Sequence, residues 1–185
     1  MSKFTIKHVL LAILTAQVSH VFGQELAVSE TIQNQVLLND LVATRGQEVI
    51  LHMRFRTQKE VKINKLKAEI IFPVPQLKLV RMDRPYLLEK FGGRIVVEEM
   101  GLGRVQVEIT IPENSPESLP EEAVAFLVMQ VAGDVEVSPL TIKAQNVQMR
   151  NLEGEILEEV QGSQSHINLV SEALYPLISC FFYMH

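Results

Sequence analysis

The sequence predicts an all-β fold, an antiparallel sandwich of about nine short strands. Apolar and polar residues alternate with period two along several stretches. Segments rich in glycine and proline punctuate those stretches at short intervals. Apolar residues make up 47% and charged residues 21% of the 185 positions, which is enough apolar matter to bury a core.

The strands are expected near 35–39, 47–56, 64–72, 77–81, 94–98, 104–111, 122–132, 139–149 and 155–159. In the second, Val49, Leu51, Met53 and Phe55 share one face, and His52, Arg54 and Arg56 the other. In the third, Leu66, Ala68, Ile70 and Phe72 alternate with outward Lys67 and Glu69. Pro73 and Pro75 end it, because proline brings no ladder donor. A short helical turn is expected at 87–91, closed by Gly92-Gly93.

Gly101-Leu102-Gly103 reads as a hairpin loop before the most regular strand, where Val105, Val107, Ile109 and Ile111 alternate with Gln106, Glu108 and Thr110. Residues 112–120 (PENSPESLP) form an irregular connection. Residues 123–131 (AVAFLVMQV) read as a central strand covered on both sides. Leu140, Ile142 and Ala144 share one parity while Val147 and Met149 take the other, so a bulge is expected near Gln145-Asn146. Asn151-Leu152-Glu153-Gly154 is the next turn, and residues 161–165 (QGSQS) read as a linker that closes the domain.

The two ends differ from this middle. Lys3 and Lys7 precede an apolar run at 9–16, followed by Val21-Phe22-Gly23. That is the pattern of a secretory signal peptide at 1–23, cut between Gly23 and Gln24, and it predicts an exported protein, whether periplasmic, cell-surface or secreted. Residues 24–33 are a short lead. The tail at 167–185 is apolar but short for a membrane span. It is open to three readings: an edge folded back on the sandwich, a membrane-surface anchor, or an altered terminus.

The order of these elements resembles the cohesin domain, a nine-strand jelly-roll sandwich related to some carbohydrate-binding modules. Four stretches carry the resemblance, which covers roughly residues 34–160. Residues 44–49 (TRGQEV) place a glycine before an alternating strand, and residues 68–80 (AEIIFPVPQLKLV) set the aromatic Phe72 five residues before Leu77. Residues 119–131 (LPEEAVAFLVMQV) are similar to the family's late apolar strand, and residues 140–156 to its closing hairpin. The Asp-Pro pair that usually follows the aromatic is here Pro73-Val74. The resemblance implies a non-catalytic module that binds a protein, dockerin-like in the family, through one sheet face. Carried over by strand order, that face would present Lys67, Glu69 and Ile71 beside Gln106, Glu108 and Thr110.

The residues are consistent with that absence of catalysis. His52, His166 and His185 lie in separate segments, and none has a partner at metal-ligand spacing, so no metal or other cofactor is expected. Adjacent carboxylate pairs such as Glu98-Glu99 point to opposite sides of a strand, which is poor geometry for an acid–base site. Cys180 is the single cysteine and has no basic neighbour to activate it. A net charge of -5 argues against nucleic acid. Two alternatives to the protein-binding module stay open. A polysaccharide would need an exposed aromatic platform, for which Tyr86 is the one candidate, and a structural subunit of an envelope or secretion assembly would use the tail at the membrane.

Overall fold

The computed structural model describes residues 34–58 and 61–171. The elements in chain order are β1 (Gln35–Leu38), β2 (Leu41–Ala43), β3 (Glu48–Arg56), β4 (Ile63–Ile71), β5 (Leu77–Asp83), α1 (Tyr86–Lys90), β6 (Arg94–Gly101), β7 (Arg104–Thr110), β8 (Ala125–Val131), β9 (Leu140–Asn151), β10 (Gln161–Gly162) and β11 (Gln164–Leu169). They make two sheets, in the orders β10-β1-β3-β8-β5 and β2-β11-β9-β4-β7-β6. The pairing is antiparallel except where β1 meets β10 and β2 meets β11.

Side-chain alternation assigns the faces. In β3 the residues Val49, Leu51, Met53 and Phe55 are buried, and the five between and beside them are exposed. Successive side chains of a strand point to opposite faces, so one face of β3 is apolar and turns inward. β7 repeats the pattern through Val105, Val107 and Ile109. Leu66, Ile70 and Ile142 join Leu51, Met53 and Leu127 in one buried cluster between the sheets. The proline-bearing connection at 112–120 holds no helix or strand, yet Leu119 from it is buried in the same core.

Two corners that lie side by side carry the chain from the first sheet to the second. Between β1 and β2, Asn39 and Asp40 make the corner. Asn39 Oδ1 accepts from His52 N at 2.6 Å, Asp40 Oδ1 accepts from His166 N at 2.7 Å, and Ser165 Oγ donates to Asn39 O at 2.6 Å. The second corner is Ser163, between β10 and β11, whose Oγ accepts from Leu38 N at 2.8 Å. Each corner thus satisfies backbone groups of the other, which keeps the two sheet edges paired.

Four expectations need correction. Residues 161–165, expected as a linker, supply β10 and the start of β11, and β11 lies inside the second sheet between β2 and β9. The sandwich therefore runs to Leu169 and not to residue 160. A short polar strand has linker composition, and only its neighbours mark it as a strand. The strand expected at 155–159 is a single bridge, Arg150 to Ile156, with Ile156 exposed. β2 carries too few residues to show a period. In β8, Phe126 and Gln130 stay half-exposed, so this strand is not covered on both sides throughout, although Val128 is buried. The signal peptide with its Gly23–Gln24 cleavage point, Cys180 and the tail beyond residue 171 lie outside the described residues. Among the described residues no helix is long and apolar enough to cross a membrane.

Candidate binding face on the second sheet

The outer face of the second sheet is built from odd-numbered positions of β4 and even-numbered positions of β7. Cross-strand register sets Lys67 opposite Glu108, Glu69 opposite Gln106, Ile71 opposite Arg104 and Lys65 opposite Thr110. All six residues named for a docking surface, Lys67, Glu69, Ile71, Gln106, Glu108 and Thr110, therefore share one face. Five of them are half-exposed. Glu69 points outward as its parity requires, but neighbours cover it to 8% exposure.

That cover explains how a carboxylate is tolerated there. Arg104 Nε donates to Glu69 Oε1 at 2.6 Å, and Arg104 Nη2 meets the same oxygen. Glu69 Oε2 accepts from Asn146 Nδ2 at 2.6 Å and from Gln145 Nε2 at 3.2 Å. The Gln145 hydrogen bond is the largest influence drawing the Glu69 carboxyl below its ordinary pKa, followed by those from Arg104 and Asn146, against the opposing effect of burial.

The bulge expected near Gln145-Asn146 produces this arrangement. Lys67 pairs with Gln148 while Glu69 pairs with Gln145, so β9 holds one residue more than β4 between those points. Asn146 adopts φ 50, in the left-handed region where asparagine is one of the few tolerated residues. The extra residue lets two consecutive amide side chains reach one carboxylate, where a regular strand would turn one of them away. Around this hub lies a cavity of about 400 Å³, lined by Lys67, Glu69, Met100, Arg104, Gln106, Asn146 and Gln148 among others. Beside it, Lys65 Nζ pairs with Glu108 Oε1 at 2.7 Å.

Sequence reasoning missed Arg104 and the two amides as parts of this site. The broken parity of β9 marked the bulge, but nothing local to residues 145–146 says which strand they face. Lys65, Arg94 and Arg150, which flank the same face, were missed as well, since each reads singly as a solvated charge.

Tyr86 opens α1 and is 75% exposed. It gains no flat aromatic platform from the other rings considered. Phe55 and Phe72 are buried, Phe91 packs on the core, and Phe126, on β8 of the first sheet, has its ring 4.8 Å from that of His52. Among the described residues no three His, Cys, Asp or Glu side chains gather as a metal site.

No protein-family profile matches the chain, and no curated protein does. Solved structures match it by shape. The third cohesin of ScaC from Acetivibrio cellulolyticus, solved in complex with the ScaB dockerin, superposes with a TM-score of 0.64 at 13% identity, over 75% of this chain and 99% of that one. The OlpA cohesin from Clostridium thermocellum, also solved with a dockerin, gives 0.63 at 12%, over 75% and 99%. A non-cellulosomal cohesin from the archaeon Archaeoglobus fulgidus gives 0.57 at 10%, over 75% and 92%. The fold is cohesin-like.

Proposed function

We propose that this cohesin-like chain is an exported, non-catalytic module that binds a protein partner through the outer face of its second sheet. The observation that carries the reading is the Glu69 hub. An open, mixed face with an ordered charged centre gives a partner a surface that is already organised, which lowers the ordering cost of association. Lys67, Gln106, Glu108 and Thr110 stand half-exposed around that centre and supply the contacts, with Ile71 as an apolar element among them. Glu69 acts from beneath by fixing Arg104. Because two of the solved cohesins named above, those of ScaC and OlpA, were solved with dockerins, a dockerin-like module is the first partner to try. A component of an envelope assembly is the second.

The test measures binding of a panel of dockerin modules, by calorimetry, to the full chain and two variants. Lys67→Ala/Gln106→Ala is expected to weaken any complex by about tenfold or more, the scale of central interface residues. Tyr86→Ala, in α1 and not in that sheet, is expected to leave it unchanged. Polysaccharide binding abolished by Tyr86→Ala, together with indifference of any protein complex to the face variant, would replace this reading with a carbohydrate-binding one. Export is tested by N-terminal sequencing of the secreted chain, which should begin at Gln24.

A further inference from the structure

A second cavity opens at one end of the same sheet, and no role in the Glu69 hub accounts for it. It measures about 400 Å³, and its lining includes Asn64, Lys65, Arg94, Thr110, Glu113 and Arg150. Register gathers the cations. Lys65 stands directly opposite Arg150 on one side and Thr110 on the other, and Thr110 stands opposite Arg94. Four neighbouring strands thus present Arg150, Lys65, Thr110 and Arg94 in one row.

Such a row is unfavourable by itself. Like charges directly across two strands destabilise a sheet. Lys65 is relieved by Glu108, but among the described residues neither Arg94 nor Arg150 has an ion pair. Glu113 is the only carboxylate in the lining, against three cations. The whole chain carries a net charge of -5, so this concentration of positive charge is local.

The floor of the cavity adds an independent sign. β4 bulges at Asn64, since Ile63 pairs with Asn151 while Lys65 pairs with Arg150. Asn64 is 7% exposed, and its Oδ1 has no hydrogen-bond partner among the described residues. An unmet buried acceptor costs free energy, and a turn of the amide would let it accept from a ligand donor. The cations call for an oxyanion and the amide calls for an N–H. A peptide bearing acidic side chains offers both, where a bare anion offers one.

We infer that this cavity takes the carboxylate of an acidic peptide segment, held by Arg94 and Arg150 with Lys65 and Thr110 beside them. Guanidinium groups suit this, because their paired N–H donors match a carboxylate. The inference deepens the protein-binding reading by naming an acidic segment as what the partner offers at this end of the face, and it rests on that reading for the source of the carboxylate.

The test is a titration of the full chain with a hexaglutamate peptide and, separately, with inorganic phosphate, followed through the backbone amide resonances of Lys65, Arg94 and Thr110. Saturable binding of hexaglutamate is expected, weakened about tenfold or more in Arg94→Gln/Arg150→Gln, the scale of losing charge-assisted hydrogen bonds. Arg54→Gln/Arg56→Gln on the first sheet removes the same charge elsewhere and should leave it unchanged. The dockerin panel, run separately on the unsubstituted chain, reports on the central face, so failure there is distinguishable from failure here. Urea midpoints no lower than that of the unsubstituted chain exclude loss of fold as the cause. Saturation by phosphate without hexaglutamate, saturation by neither, or equal weakening by both arginine pairs would each overturn the inference.

Discussion

Replacing Gly103 with alanine tests the joint between the β6–β7 hairpin and the end of β4. Gly103 has φ +69, and a Cβ built on it would lie 2.3 Å from Phe72 O and 3.0 Å from Val74 Cγ2. Its own carbonyl accepts from Phe72 N at 2.9 Å. Alanine therefore meets two penalties. The left-handed backbone costs an L-residue about 1–2 kcal/mol. Pushing the Phe72 backbone away forfeits a hydrogen bond worth about 1 kcal/mol. A loss of about 2–3 kcal/mol is expected, a large part of the stability of an ordinary domain. Gly154→Ala separates the two, because Gly154 has φ +86 but no atom within 4 Å of a built Cβ. It should carry the conformational penalty only. With no tryptophan in the chain, urea unfolding is followed by circular dichroism. Equal losses for the two variants would refute the close approach at Phe72, and with it the argument that this hairpin is locked onto β4 next to Arg104.

Further outcomes follow from the same physics. Leu66→Ala, at a fully buried site, should destabilise by about 2–5 kcal/mol in the same assay, whereas Ile50→Ala, at an exposed site, should cost far less. The folded Glu69 carboxyl titrates below its ordinary value of 4.5, so its contribution to stability is fully present above that value and disappears as pH falls through the lower folded value. Glu69→Gln should therefore be less stable at neutral pH and show a shallower acid limb when urea midpoints are plotted against pH. Arg150→Gln removes a like charge from across Lys65 and should raise stability by a few tenths of a kcal/mol, about 0.2–1, at low ionic strength, with the gain shrinking as salt is added. A loss of stability that grows as salt is lowered would contradict that account of the basic row.

Much of the sandwich was legible because the strongest signal is local. Val49 to Phe55 and Val105 to Ile109 announce both their secondary structure and their buried face within a few residues, and both are found as read. The bulge at Gln145-Asn146 was legible for the same reason, as a break in parity. What failed was short or polar. β2 holds three residues and β10 two, too few for a period to show, and the Gln161–Gly162 stretch has the composition of a linker. The apolar character of residues 123–131 concealed that Phe126 points away from the core, because an almost continuous apolar run has no alternation to read.

The candidate site divides along the same line. By itself the sequence determined that Lys67, Glu69, Gln106, Glu108 and Thr110 face out of their strands, since the pleat turns successive side chains to opposite sides. Which strands lie side by side was decided only by the tertiary structure. It set Arg104, 35 residues from Glu69, and Asn146, 77 residues away, around one carboxylate, and drew Arg94 and Arg150 into one row with Lys65. The reason is physical. Alternation is a property of one strand, whereas register is set by packing two apolar faces together and leaves no mark in the stretch of chain that obeys it.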